Sequence, residues 1–427
     1  MSQTHANPRP LEPRLAPRFH SLLQEMTGAS DHPRTQQRAE ALLADALQWR
    51  VSDIHLEPSS SETRLRFRVD GVLHDVAAVP NAAGVHLTAF FKTLSEIDAL
   101  ALAKPEHGHG RLDAWGTTVE LRTTVAPTTS GEMLGMRLLD TGRPLLRLGD
   151  LGMNEGDQQT LHAWLEGMQG MLLVGGPVGS GKTSTLYALL HVLQNLPRSI
   201  ITVEDPVECQ LDGITQIEVN PKRGLHFPDA IRAMLRLDPD FLLVGEIRDS
   251  DSAHVAITAA GSGHALLSTI HARDAVGTVT TLRNVGAKNW EIATALEVGV
   301  SQRLVRRLCP SCKSAHETTE DERRCFSLVA TEAPPTLFAP QGCAACAGTG
   351  FLGRIGVFEL WRVDAVARQA IADGTDDLAL ARHALHHGLR PLLHDAHAKV
   401  VAGHTTLAEI RPIAAEGSRA TTAYAVT

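Results

Sequence analysis

The first chemistry visible in the chain lies in Gly176-Pro177-Val178-Gly179-Ser180-Gly181-Lys182-Thr183, followed by Ser184. The spacing is GxxxxGK[ST]. Its glycines let the backbone curl so that successive N–H groups cradle phosphate. A helix beginning at the end of the loop adds partial positive charge. Lys182 is placed to reach the β- and γ-phosphates, and Thr183 to ligate Mg²⁺. The chemistry is phosphoryl transfer from a nucleoside triphosphate, with ATP and Mg²⁺ as the expected ligands.

Such a loop needs a carboxylate at the end of a neighbouring strand, to hold the metal or orient water. Two apolar runs supply one each: Glu204 and Asp205 follow residues 200–203, and Glu246 follows residues 241–244. His264 and His271 bracket a further apolar run at 265–268, with Gly261, Gly263, Ser268 and Thr269 around them. A lone histidine usually fills a structural role. Here the setting favours His271 as a group that senses or relays a change beside phosphate.

A second kind of chemistry sits in Cys309-Pro-Ser-Cys312 and Cys343-Ala-Ala-Cys346. Two CxxC knuckles offer four thiolates, the closed tetrahedral set of a structural Zn²⁺. A redox pair needs only one such knuckle, so two favour zinc. The 30 residues between them exceed ordinary finger spacing and predict an inserted helix or loop. Cys209 and Cys325 read as ordinary core or surface thiols.

These groups need a scaffold. The runs 171–174, 200–203, 241–244 and 265–268 are predominantly apolar and alternate with helical segments. That pattern predicts parallel strands buried on both faces. Upstream, Leu65, Phe67 and Val69 alternate with Arg64, Arg66 and Arg68, and Asp70-Gly71 offers a two-residue hairpin turn. A helix is predicted around Ala39–Leu47, a second over 84–102, and strands near 117–125 and 133–139. The expected layout is a Pro/Arg-rich flexible leader over 1–35, a small α/β domain over 36–140 and a linker over 141–152. An ATPase domain follows over 153–427, with the zinc subdomain at 309–346 and a helical tail.

The chain has 427 residues, 43% hydrophobic and 21% charged, with a net charge of −8. That supports two or three packed domains and argues against a protein that coats nucleic acid. No apolar run approaches the ~20 residues that span a bilayer, and no signal peptide is visible at the N-terminus. The expected location is cytoplasmic.

Six signatures along the chain resemble the ATPases of type II secretion and type IV pilus assembly. Residues 175–187 (GGPVGSGKTSTLY) are similar to the family's Walker A, 202–208 (TVEDPVE) to its Asp box, 235–249 (LRLDPDFLLVGEIRD) to its Walker B, and 258–271 (TAAGSGHALLSTIH) to its His box. The four cysteines with 350–359 (GFLGRIGVFE) resemble its zinc-bearing subdomain, and 52–58 with 66–71 its second N-terminal domain. The resemblance covers about residues 36–415.

It implies an α/β fold: a RecA-like P-loop ATPase domain with a parallel sheet and a zinc-binding insertion, preceded by a small PAS-like α/β domain. Glu204 would activate water and Glu246 would be the Walker B carboxylate. Arg122 and Arg137 would bring positive charge to the nucleotide, with Arg232 and Arg236 as arginines ahead of Walker B. The family further implies a homo-oligomer, a hexameric ring, working on an inner-membrane platform protein. The chain would then be peripheral on the inner face of the inner membrane. Only about 35 residues precede the second N-terminal domain, so the chain reads as a short form without the first. The competing readings are a pilus retraction motor, a DNA-translocating ATPase and a regulatory nucleotide-binding module. The knuckles argue against the first, the acidic charge against the second, and intact Lys182, Glu204 and Glu246 against the third.

Overall fold

A computed structural model describes residues 12–24, 34–99, 104–114, 117–140, 146–327 and 333–424. The chain divides into two compact units, Met1–Arg143 with Gly342–Thr349, and Pro144–Gln341 with Gly350–Thr427.

In the first unit, α1 (Pro17–Gln24) and α2 (Thr35–Gln48) lead into β1 (Asp53–Pro58), β2 (Glu62–Val69), β3 (Val72–Pro80), α3 (Asn81–Leu94), β4 (Glu106–Ala114), β5 (Thr117–Thr128) and β6 (Gly131–Asp140). The six strands form one antiparallel sheet in the order β3-β2-β1-β6-β5-β4. Alternation works as the sequence predicts. Leu65 and Phe67 are buried, while Arg64, Arg66 and Arg68 stay half-exposed. Asp70 and Gly71 have φ of 49° and 87°, the left-handed pair that a tight hairpin turn requires.

Two expectations are corrected here. Residues 12–24, read as part of a flexible leader, are folded. Leu15, Ala16 and Phe19 are buried in the unit's core, and the Phe19 N–H donates to Asp45 Oδ2 at 3.0 Å. The surrounding prolines and arginines hid three apolar anchors. Residues 1–11 and 25–33 of that leader lie outside the described residues. The helix predicted over 84–102 ends at Leu94. Ser95 turns inward to share a hydrogen bond with Thr123 at 2.6 Å, and Glu96 takes a left-handed φ of 58°. Part of the predicted span, 100–103, is outside the described residues.

The second unit holds α4 (Glu155–Gly167), β7 (Gly170–Gly175), α5 (Lys182–Leu193), β8 (Ile200–Glu204), β9 (Thr215–Glu218), α6 (Phe227–Met234), β10 (Phe241–Val244), α7 (Ser250–Gly261), β11 (Ala265–Ile270), α8 (Gly277–Asn284), α9 (Asn289–Ala295) and β12 (Leu296–Leu308). It continues through β13 (Ser314–Glu317), α10 (Glu320–Ser327), β14 (Thr336–Ala339), β15 (Phe351–Arg362), α11 (Ala365–Ala372), α12 (Asp377–His386), α13 (Leu392–Val401) and α14 (Leu407–Tyr424). The sheet order is β15-β12-β7-β11-β10-β8-β9, parallel except for the β12–β15 pair. Every residue of β7, β8, β10 and β11 is buried, as continuous apolar runs require. The antiparallel edge was not anticipated, because β15 mixes charged and apolar residues. Of the predicted linker, 141–145 lie outside the described residues, while Leu148 and Leu151 are buried in this unit's core. The excursion between the two CxxC knuckles forms the small β13–β14 ribbon with α10.

Candidate active site and cysteine cluster

Parallel strands place their carboxyl ends along one edge, where α/β sheets bind ligands. The loop after β7, Glu204 at the end of β8, Glu246 after β10 and His271 after β11 all fall on that edge.

The phosphate loop is shaped by backbone that only glycine adopts readily. Gly176 has φ of 152° and Gly181 has φ of 89°. A Cβ on Gly176 would stand 2.5 Å from Ser180 Oγ and 2.6 Å from the Gln302 carbonyl, and one on Gly181 would stand 2.7 Å from Gln302 Nε2. Residue 302, on β12, therefore braces the loop from below. Its side-chain oxygen accepts from Thr185 Oγ at 2.7 Å. Pro177, Val178 and Gly179 are exposed on the loop's crown, while Ser180 is buried with an Oγ that has no hydrogen-bond partner among the described residues. A buried hydroxyl beside a glycine-shaped loop is a vacant donor that suits a phosphate oxygen. Lys182 Nζ donates to the carbonyls of Gly176 (2.9 Å) and Pro177 (3.2 Å). Burial lowers its pKa, with Glu246 opposing and Arg303 adding to the shift. Thr183 and Ser184 are exposed in the first turn of α5.

The two carboxylates differ in company. Glu204 is buried and, among the described residues, accepts only from neutral groups: Tyr187 Oη to Oε2 at 2.6 Å, and Thr202 Oγ and Gln216 Nε2 to Oε1 at 2.7 and 3.2 Å. Burial, then the neighbouring Glu204 charge, raises the Tyr187 phenol well above its usual pKa, so it stays a donor. Glu246 instead meets cationic or ionisable groups. Oε1 lies 2.8 Å from His271 Nε2, and Oε2 accepts from Arg248 Nε. His271 Nδ1 reaches the Gly176 carbonyl at 3.3 Å, which ties Glu246 to the phosphate loop. Arg248 also approaches Asp205 at 3.7 Å. A cleft of about 590 Å³ opens beside Gly176, Pro177, His271, Arg273 and Arg303, within the range of small-ligand sites.

Other predicted residues are not gathered at this edge. His264 precedes β11, so it stands at the amino end of a strand whose carboxyl end carries His271. Six residues at ~3.3 Å each put it about 20 Å away. Its Nδ1 contacts the Ala259 carbonyl at 3.1 Å. Arg232, paired with Asp229 at 3.2 Å, and Arg236 are exposed ahead of β10, again at the amino edge. Arg122 and Arg137 belong to the first unit, directly opposite one another on β5 and β6, with Arg137 Nε 3.0 Å from Asp53 Oδ1. Sequence reasoning did not single out Tyr187, Thr202, Gln216, Gln302 or Arg303. The buried polar run Ser301-Gln302-Arg303 in the middle of β12 is the signal that marks the last two.

The four cysteines converge. The sulfurs of Cys309, Cys312, Cys343 and Cys346 lie within 4.8 Å of one another, and those of Cys343 and Cys346 are 3.8 Å apart. Thiolates ~2.3 Å from a tetrahedral Zn²⁺ stand about 3.8 Å apart. The Cys343 N–H points at Cys346 Sγ at 3.2 Å, which stabilises a thiolate. The donor set fits zinc.

Residues 29–412 match the profile of the type II/IV secretion system protein family. The chain belongs to this family. Curated relatives agree. The type II secretion system protein E of Pseudomonas aeruginosa is 38% identical over 377 residues, 88% of this chain and 74% of that one. The type II secretion system ATPase E of Vibrio cholerae is 36% identical over 404 residues, 93% and 80%. The type IV pilus assembly ATPase PilB of Pseudomonas aeruginosa is 34% identical over 404 residues, 92% and 70%. Among solved structures, the Legionella pneumophila ATPase DotB matches with a TM-score of 0.66 at 18% identity, covering 92% of this chain and 98% of that one. The pilus retraction motor PilT matches at 0.58 and 21%, covering 87% and 95%. These two show a shared fold. Like its relatives, this member of the family is an ATP hydrolase. Among the described residues no helix is long and apolar enough to cross a membrane.

Proposed function

We propose that this ATPase is the motor of a type II protein secretion system or a type IV pilus assembly machine, working as a hexameric ring on an inner-membrane platform protein. The observation that carries the reading is a phosphate loop, two carboxylates and a histidine on one sheet edge, in a chain 34–38% identical to secretion and pilus-assembly ATPases. In this reading the protein is peripheral on the inner face of that membrane, held there by its partners.

Each site residue has a role. The loop amides and Ser180 Oγ hold the β- and γ-phosphates, and Lys182 leaves the loop carbonyls to neutralise them. Thr183 would hold Mg²⁺, which when bound offsets charge on the bridging oxygens. Glu246 would help hold Mg²⁺, and His271 links that carboxylate to the Gly176 carbonyl of the phosphate loop. Glu204 orients the attacking water. Its Oε1 already accepts two hydrogen bonds, so the acceptor site left is on Oε2 beside Tyr187. Arg122 and Arg137 are assigned to phosphate charge on family resemblance. Cys309, Cys312, Cys343 and Cys346 would hold Zn²⁺ as a structural clamp on the β13–α10–β14 excursion.

The test is a Lys182→Ala allele in the source organism, assayed for exoprotein secretion and surface pili together. Loss of secretion alone assigns the motor to type II secretion, and loss of pili alone to pilus assembly. No change in either overturns the reading.

A further inference from the structure

Far along the chain from the nucleotide edge, α11 and α12 carry a second group of metal-type donors. Asp364 caps α11, its Oδ1 accepting the Ala367 N–H at 2.7 Å. α12 presents Leu380, Ala381 and Ala384 to the core. His383 and His387, four residues apart, share another face. His383 Nε2 stands 3.0 and 2.9 Å from the two oxygens of Asp364. The His387 ring stacks on His383 with centroids 4.0 Å apart. One donor atom from each of the three residues lies within 4.8 Å of the other two.

A histidine–aspartate hydrogen bond accounts for His383 but not for His387. The latter spends Nδ1 on the His383 carbonyl at 2.9 Å. That fixes its tautomer and leaves the Nε2 lone pair for coordination, the arrangement ligating histidines usually have. Ligands ~2.0–2.2 Å from a tetrahedral ion stand about 3.4 Å apart. In the present cluster the donor atoms lie within 4.8 Å of one another, with His383 Nε2 2.9 Å from an Asp364 oxygen. Two imidazoles and one carboxylate suit a borderline first-row divalent ion and suit Mg²⁺ or Ca²⁺ poorly.

We propose that Asp364, His383 and His387 form a second metal site, for a divalent transition ion of the Zn²⁺ type. Three protein ligands leave a coordination position for water. The ion would join the start of α11 to the end of α12 and fasten the two helices together.

The test is equilibrium loading of the full-length protein, stripped with a chelator and titrated with Co²⁺ and then Zn²⁺. Wild type takes two equivalents. One carries the intense thiolate-to-Co²⁺ charge-transfer band of the cysteine cluster, and the other adds only weak d–d absorption. His387→Ala, at an exposed position, loses the second equivalent and keeps the thiolate band. Asp364→Asn retains an oxygen for the helix cap and weakens the second equivalent at least about tenfold. Zn²⁺ beyond the first equivalent raises Tm in wild type and not in His387→Ala. A wild type without a non-thiolate equivalent overturns the proposal, as does a second equivalent bound with wild-type affinity by both variants.

Discussion

The ends of β8 and β10 are neighbours in one sheet, yet their carboxylates live in opposite surroundings. Glu204 is held by a phenol, a hydroxyl and an amide, all neutral and in or next to the core. Glu246 is held by Arg248 and His271, both more than half exposed. Neutral donors fix a carboxylate's direction without bringing an opposite charge beside it, so Glu204 is aimed by its surroundings. Ionic partners share the charge of Glu246 and couple it to whatever else is charged nearby. Under the proposed function this difference is a division of labour, with Glu204 aimed at water and Glu246 responding to metal and phosphate.

The sharpest way to break this comparison is Glu204→Gln. Turnover should fall 10²–10⁴-fold, the usual worth of a positioned base, while ATP binding is kept. Equal turnover by the variant, measured as phosphate release, removes Glu204 from the water-activating role.

A third carboxylate separates burial from partners. Glu359 on β15 is buried and, among the described residues, accepts only the Ala275 and Leu392 amides, at 2.8 and 2.9 Å. Burial raises its pKa to about 7. The native state therefore binds a proton that the unfolded state releases near 4.5. Stability is greatest below the unfolded value and is lost as pH rises through about 7, by up to ~3 kcal/mol. Chemical denaturation at pH 5 and pH 8 should show that loss in wild type and a flat profile in Glu359→Gln. A wild type equally stable at both would mean that burial alone does not set the behaviour of these carboxylates.

Glu246→Gln sharpens the other arm. It should raise the Mg²⁺ concentration needed for half-maximal turnover by about 10–100-fold, as loss of a metal-orienting group does. Glu204→Gln should leave that requirement unchanged. Identical Mg²⁺ profiles for the two variants would erase the distinction. The smallest effect belongs to Tyr187→Phe. Removing one hydrogen bond to a charged group costs ~1.5–3 kcal/mol of stability and should lower turnover about tenfold with KM for ATP little changed. A rise in KM alone would show that Tyr187 packs the site without aiming Glu204.

What was readable in the sequence followed from locality. The phosphate loop, both carboxylates and the CxxC knuckles declare themselves through short spacings, and the buried strands through unbroken apolar runs. Tyr187 and Gln216 were not readable as partners of Glu204. Their meeting depends on how α5 packs on the sheet and on the β8–β9 register. Gln302 braces the phosphate loop only because β12 pairs with β7. The folded stretch at 12–24 was masked by composition: prolines and arginines surround Leu15, Ala16 and Phe19, whose helical spacing continues through Leu22 and Leu23. His264 read as a site residue from its place beside the run 265–268, and Arg232 and Arg236 from family resemblance ahead of Walker B. Strand polarity carries all three to the other edge of the sheet.

The brace from Gln302 has a thermodynamic corollary. With Gly176 and Gly181 seated against a residue of β12, the curl of the phosphate cradle is fixed when the domain folds. The conformational entropy of ordering those backbone amides is already lost before nucleotide arrives. Binding then needs little rearrangement of the loop, and more of the contact energy appears as affinity. Loosening the brace, by shortening the side chain at 302, would return that entropic cost to the binding step while leaving every phosphate-contacting residue in place.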